Sequence, residues 1–525
     1  MVDRSPPVRL FRWLCSWRGI RRLLIVLAWT LTIVALLYGE ENWRGRRVWT
    51  KYRHELEARG EQLDLEAFIP KPIPDEQNFA ATPIVVSWFS QRTNSQHWAD
   101  DYSRASAWVP SPKDNRHRQY IDLVGWQMAY EAIRSGDLTG NKSFESDKTD
   151  LESRAKAAPA VLEGLKVSET NLAELRSAAR RPSVRYPVFY NLETPSPGIL
   201  LPHLAHVKAA CNHLELRACA ALAAGQSENA LEDVRLILYL ADSFKDEPFL
   251  ISYLVRIACL QLGVQPIWEG LAERRWSDVQ LQELQKRLQF DFLGALKRSK
   301  DGERAIGILT ADLLRQNRYS VGDLWYSYGY LSDEPTAMAS LVGRMAPHGW
   351  YYQERFNFCR LYENQLRGAF DAVKKRIFPS QIAIRSHELE KALDWGHLGR
   401  TLDAVIHHHF LATLLLPQLE TVPRKAAIAQ ATSDQAALAC ALERYRLANG
   451  QFPETLESLA PKYLSRLPND PITGESYKYH RSDAGGFILY SVGWDERDDG
   501  GVRGKTRYDD KNGDWVWESR PPSAP

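Results

Sequence analysis

Paired cysteines are missing from this chain of 525 residues. Only six cysteines occur and no two stand as C-x-x-C; Cys15 precedes a long apolar run, and Cys211, Cys219, Cys259, Cys359 and Cys440 lie in helical-looking stretches. That excludes a zinc ribbon and a thioredoxin-type motif, and leaves small buried thiols as the reading. A dominant charge is missing too: 67 basic against 65 acidic side chains give a net charge of +2, so no general attraction to nucleic acid is implied. There is no Gly-x-Ser-x-Gly elbow, and His387-Glu388 has no second histidine at zincin spacing. The run Gly500-Gly501-Val502-Arg503-Gly504-Lys505-Thr506 has Asp499 where a phosphate loop needs glycine, with no strand and helix around it. Strand signals are nearly absent before residue 475. What is plentiful is apolar content, at 44%, with 17 tryptophans and 22 tyrosines. Such a chain can bury large cores, and its length suits two or three domains of about 100–200 residues each.

One segment is uncharged and long. Leu23 to Gly39 runs seventeen residues, with six arginines before it and Glu40-Glu41 after it. At about 1.5 Å per residue it covers about 25 Å of a hydrocarbon core about 30 Å thick, a shortfall that snorkelling arginines and Trp17, Tyr38 and Trp43 can absorb. The flank Leu-Leu-Tyr-Gly-Glu-Glu offers no small-residue cleavage site, so the segment reads as an uncleaved signal anchor. Arg44, Arg46, Arg47, Lys51 and Arg53 nearly balance the positive-inside rule. The dense arginine tail and the bulk of chain that follows place the N-terminus inside.

The predicted organisation is a cytoplasmic tail over 1–22, a transmembrane anchor over 23–39, and a charged helix with a proline-rich linker over 40–74. An α-helical body over 75–419, a small α+β domain over 420–518 and a disordered tail over 519–525 complete it. In the body, apolar residues recur at three- and four-residue spacing from Asn171 to Ala179 and from His203 to Leu271. Gly225 splits a helical hairpin, and Ser277 with Gln280 forms a capping box. The stretch GQSENALEDVRLIL resembles the turn and second helix of a tetratricopeptide repeat, without a second copy at the repeat period. Segments AARRPSVRYPVFY and LLPHLAHVK are similar to a group of membrane-anchored bacterial envelope proteins, a likeness that carries no activity with it.

After residue 426 the pattern changes. A helix with Ile428, Leu438, Leu442 and Tyr445 along one side stops at Asn449-Gly450. Tyr477 to His480 and Phe487 to Ser491 alternate around a Ser482–Gly486 turn, a hairpin by turn chemistry. The whole stretch resembles the head of a type II secretion major pseudopilin over roughly residues 426–518. The resemblance rests on Tyr445, Asn449, Gly450, Phe452 and Pro453, on Tyr463, Leu464, Leu467, Pro468, Asp470 and Pro471, and on Leu489, Tyr490, Ser491 and Gly493. It implies a pseudopilin-like domain, secretion or pilus-like proteins as partners, and calcium in the acidic loop that follows. A pseudopilin begins with a prepilin-peptidase site and a membrane helix continuous with its head helix. Here the anchor lies far upstream of the head, so the chain departs from a filament subunit.

Candidate chemistry is sparse. Asp495, Asp498, Asp499, Asp509, Asp510 and Asp514 fall within twenty residues among glycines. Hard carboxylate oxygens are what calcium takes, about six to eight at a time, and a solvated charged loop is the competing reading. The expected metal ligands are Asp495, Asp498, Asp499, Asp509 and Asp510. His203, His206 and His213, and the run His407–His409, lack the partners a catalytic metal needs. Glu303-Arg304 and Glu354-Arg355 are candidate buried pairs. Trp325, Tyr326, Tyr328 and Tyr330, with Trp350, Tyr351 and Tyr352, could grip a glycan or an extended peptide.

The fold class expected is therefore mainly α: one transmembrane helix, an all-α repeat-like body and a pseudopilin-like α+β domain. No residue is assigned a catalytic role. The functional expectation is a non-enzymatic scaffold or adaptor of the bacterial inner membrane, its bulk in the periplasm. A periplasmic peptide- or glycan-binding module and an unrecognised hydrolase are the alternatives.

Overall fold

The computed structural model describes residues 16–90, 100–110, 116–137, 142–146, 150–190, 192, 199–327, 341, 343–393, 407–416, 421–482 and 485–519. The chain is mainly α-helical with a small C-terminal sheet. Twelve longer helices carry it: α1 Trp17–Ala58, α2 Leu123–Arg134, α3 Leu151–Leu165, α4 Glu169–Ala178, α5 Pro202–Ala223, α6 Ser227–Asp242, α7 Leu250–Ala272, α8 Asp278–Arg287, α9 Phe292–Arg315, α10 His348–Leu366, α11 Pro379–Ala392 and α12 Val422–Asn449.

The apolar run and the charged segment after it form one helix. α1 covers 42 residues, capped at Ser16 and closed at Arg59–Gly60, where Gly60 takes φ +78°. At about 1.5 Å per residue it is about 63 Å long, twice the thickness of a hydrocarbon core. Its first half is bare: Leu24, Trp29, Leu31 and Leu36 are each at least 59% exposed. In the second half Trp49, Tyr52 and Leu56 are buried against α10. The two helices meet at Gly45 and Gly349, where a Cβ on Gly45 would come within 2.2 Å of the Gly349 carbonyl oxygen. Only glycine permits that approach.

The segment after α1 is not a free linker. Leu63, Leu65 and Phe68 are buried, and the Arg185 Nε donates to the Pro70 carbonyl at 2.9 Å. Proline fixes φ without forbidding packing, so a proline-rich stretch can lie along a surface as readily as hang between domains. Helices α5 and α6 make the hairpin, with Gly225 at φ +76°, and α7 packs on both. Helix α7 is apolar enough to cross a membrane, but 61% of its most apolar window is buried, which makes it a core helix. The capping box at Ser277 and Gln280 opens α8.

Strand β1 (Phe370–Asp371) pairs with β2 (Arg376–Ile377), and β3 (Lys478–Arg481), β4 (Phe487–Ser491) and β5 (Trp515–Glu518) form an antiparallel sheet in that order. Helix α12 lies between this sheet and helices α7, α8 and α9. One apolar core runs from Leu65 through α5–α9 and α12 to Trp517, crossing residue 420 without a break. The five described cysteines are free and buried.

Candidate functional site

The C-terminal domain is built around two short motifs that close on each other. In the first, Asn469-Asp470-Pro471, the Asp470 side chain is buried. Its Oδ1 accepts from the Ile472 N–H at 2.8 Å and the Ser491 hydroxyl at 3.0 Å, and its Oδ2 from the Val492 N–H at 3.2 Å. Ser491 and Val492 belong to the second motif, Leu489-Tyr490-Ser491-Val492-Gly493. A carboxylate that receives three hydrogen bonds locks the loop before β3 to the end of β4. Tyr463, from the segment between α12 and the first motif, stands 5.6 Å ring to ring from Tyr445 and takes a hydrogen bond from Asn449 at 3.4 Å, beside the left-handed Gly450 that ends α12.

The acidic loop follows β4, and its carboxylates turn inward. Asp509 accepts three backbone N–H groups, from Lys505, Lys511 and Asn512. Asp514 is buried and accepts from Asp499 N–H at 3.3 Å and Gly501 N–H at 2.6 Å; burial, then Asp498 and Asp499 nearby, push its carboxyl up to about 6 against the pull of those N–H groups. Asp498 receives the Tyr490 hydroxyl at 3.0 Å and the Gly500 N–H at 3.1 Å, and lies 3.7 Å from Lys478. Asp510 pairs with Arg424 on α12 at 2.7 Å, Asp495 accepts from Arg497 N–H, and Asp499 is exposed. Of the five expected ligands, Asp495, Asp498, Asp509 and Asp510 are thus engaged with separate partners, and Asp499 is exposed. Among the described residues no three acidic, histidine or cysteine side chains form a metal-holding group. This arrangement does not fit the six to eight converging oxygens that calcium takes, about 2.3–2.6 Å from the ion.

Arginines hold the loop instead. Arg503 pairs with Glu518 on β5 and stands 2.8 Å from the His117 Nδ1, and Arg507 donates to the His117 carbonyl at 2.9 Å. Arg118 lies 5.1 Å over the Trp517 ring, and burial lowers its pKa to about 10. Tyr508 bonds Thr432 of α12 at 2.9 Å, and Trp268 of α7 donates to the Glu518 carbonyl at 3.0 Å. On the other side of the same body segment, Gln265 reaches the Gln119 carbonyl at 2.7 Å and Ile121 N–H reaches Glu269 at 2.8 Å. Residues 117–121 of the body are therefore threaded between β5 and α7. No spacing in the sequence links residue 117 to residue 518; only the arginines inside an otherwise acidic loop could have hinted at an acceptor elsewhere.

The other candidates are structural where they are described. His203 bonds Glu247 at 2.8 Å, His206 stacks on Trp88, and His213 meets the Ser168 hydroxyl, so the three do not share a site. His407 to His409 stand in a turn before a short helix rather than within one, with His408 at φ +56° and 3.6 Å from Glu41. Glu354 accepts the N–H groups of Phe410 and Leu411 at 3.0 Å each, and burial pushes it up to about 8. Glu303 accepts from Leu250 N–H at 3.3 Å, Arg304 pairs with Glu61 and Glu363, and Arg355 with Asp312. Of the aromatic segment, Tyr328 and Tyr330 lie outside the described residues, Trp325 and Tyr326 fall in a short helix over Val321–Ser327, and Tyr351 is buried in the core beside α1. An open groove of about 750 Å³ lies where α1 ends against α9 and α10, lined by Phe68, Phe370, Phe378, Lys300, Arg304 and Arg367 among others. Lys300 sits 5.3 Å from the Tyr362 ring, and burial, then Arg304, lower its pKa to about 8.

Two comparisons with known proteins meet on the C-terminal domain. The family model for type II secretion system (T2SS) protein G matches residues 418–506. The type II secretion system core protein G of Pseudomonas aeruginosa is 36% identical over 108 residues, covering 17% of this chain and 75% of that protein. No solved structure matches the chain. The matched span holds α12, the Asp470 closure, β3, β4 and the first part of the acidic loop, and through it the chain belongs to the type II secretion system protein G family.

Proposed function

We propose that this chain is a single-span protein of the bacterial inner membrane, standing in the periplasm as a non-enzymatic scaffold or adaptor of secretion or pilus-like machinery. The observation that carries the reading is the setting of the protein G domain. Its helix α12 is packed between the sheet and α7–α9, so it neither continues a membrane helix nor has a free face on which copies could stack. A domain of this family that cannot assemble through its helix can still present its outer loops to assembled partners. Helix α1, bare over its apolar half and docked over the rest, supplies the anchor and the stalk. The test is site-specific photocrosslinking in native membranes that carry the machinery. A crosslinking residue at Val502, 63% exposed on the protein G loop, should yield adducts with secretion-system proteins. One at Val373, 93% exposed on the β1–β2 turn, should not. Adducts of equal yield at both positions, or at neither, contradict the reading.

A second reading, a periplasmic peptide- or glycan-binding module, is favoured by the groove between α1, α9 and α10. Three phenylalanines line it with the cations Lys300 and Arg367 and with the carboxylates of Glu61, Asp301, Glu363 and Asp371. That combination suits an extended ligand with apolar groups and charges of both signs.

A further inference from the structure

We propose that Leu341 and Met345, ahead of α10, form a second membrane contact, entering the interfacial layer of the bilayer that α1 spans. The inference rests on the anchor reading above and fixes how the body meets the lipid. Helices α1 and α10 run parallel in a constant register. Gly45 meets Gly349, Tyr52 stands edge-on to Phe356 at 5.1 Å, and Arg59 pairs with Glu363 at 3.4 Å, each pair separated by the same distance along the chain. The N-terminus of α10 therefore points toward the membrane. Ahead of α10 the helical register breaks at Pro347, ψ 144°, so the level of Met345 is set by its contact with α1, whose apolar run ends at Gly39.

Two hydrogen bonds hold that level. The Tyr38 hydroxyl donates to the Met345 carbonyl, and the Gly349 N–H donates to Asn42 Oδ1 at 2.6 Å. If Leu23–Gly39 lies in hydrocarbon, Met345 cannot stand far above the surface, because the polar layer beyond the core is only about 5–7 Å deep.

The side chains suit that position. Leu341 is 51% and Met345 62% exposed, with the exposed Arg344 next to Met345. Two bare apolar side chains beside an exposed arginine are costly in water but natural where hydrocarbon gives way to phosphate. Helix α1 repeats the pattern one turn above its apolar run. Trp43 is 62% exposed with the Arg47 guanidinium 5.2 Å over its ring, and Arg46 is exposed beside it. Guanidinium groups at this height face lipid phosphates.

The experiment uses the full chain with Cys15→Ser, reconstituted in vesicles of phosphatidylethanolamine and phosphatidylglycerol carrying a nitroxide near the top of one acyl chain. An environment-sensitive fluorophore is attached at Met345→Cys, Leu31→Cys or Val373→Cys. The remaining native cysteines are buried. Position 31 reports the span, and position 373 lies beyond the far end of α10. The proposal expects quenching at 31 and at 345, with 345 quenched at least about threefold more than 373. Quenching at 31 with 345 no different from 373 overturns the second contact and leaves the anchor standing. No quenching at 31 overturns the anchor, and the contact falls with it.

Discussion

Two aspartates carry much of the C-terminal domain's order. Asp470 collects two backbone N–H groups and a hydroxyl in a site closed to water, so Asp470→Ala strands all three. Each buried donor left without a partner costs about 1–3 kcal/mol, and the expected loss in denaturant titration is about 3 kcal/mol or more. A loss under about 1 kcal/mol would mean that the closure is incidental. Asp434, on α12, receives Gln430 at 3.0 Å and the Tyr477 hydroxyl at 3.0 Å, yet burial outweighs them and pushes its carboxyl up to about 7. Such a group holds its proton more tightly in the folded than in the unfolded chain. Its stabilising contribution is complete below about pH 4 and lost as pH rises through about 7, by about 1.4 kcal/mol per pH unit between. The stability of the wild type relative to Asp434→Asn should therefore fall from pH 5 to pH 8 in parallel denaturant titrations. A gap that does not change with pH would contradict the assignment. At this scale the family residues were legible because they close turns, as Asp470, Gly450 and Tyr463 do. Which carboxylates would be buried was not, since Asp434 meets Tyr477, 43 residues further along the chain, only once α12 has packed against the segment before β3.

Among the elements, those with a single buried stripe were the easy ones, and the hairpin α5–α6, the capped start of α8 and the β3–β4 turn stand where the sequence placed them, whereas the helix expected to run on to about Arg298 ends at Arg287 and restarts at Phe292. Strand β5 was missed because its four residues, Trp515 to Glu518, have no turn partner nearby; they pair with β4 across the whole acidic loop. Helix α12 is buried on both sides: Gln430 bonds the Phe290 carbonyl, Ser433 the Leu288 carbonyl, and Arg444 reaches Asp278. A fragment of residues 420–525 would expose that whole face. It is expected to lack a cooperative melt by circular dichroism, and a sharp two-state transition would show that the body is dispensable. The acidic loop is an element of the same kind, held by its own N–H groups and by Arg424, Arg503 and Arg507. Full-length protein should melt within about 1 °C with calcium or with chelator. A calcium-dependent rise of several degrees, abolished by Asp498→Asn with Asp499→Asn, would show that the carboxylates reorganise around the ion.

For the molecule as a whole, the sequence separated anchor, linker, body and head, whereas one core joins the last three. The cause is visible in particular residues: Leu65 and Phe68 follow the anchor but pack with the body, and Trp517 closes the chain against the same core. Long-range packing leaves no periodic trace in sequence. The Gly45–Gly349 crossing packs the second half of α1 against the body rather than leaving it a free tether. The proposed role requires that α1 cross the membrane once and stay attached. The most direct measurement joins alkaline phosphatase after Pro525, assays it in intact cells and reads the N-terminal residue of the membrane-bound chain by intact mass. The account requires an active phosphatase on a chain that retains Trp17 to Gly39; an inactive fusion, or a chain beginning near Glu40, would contradict it.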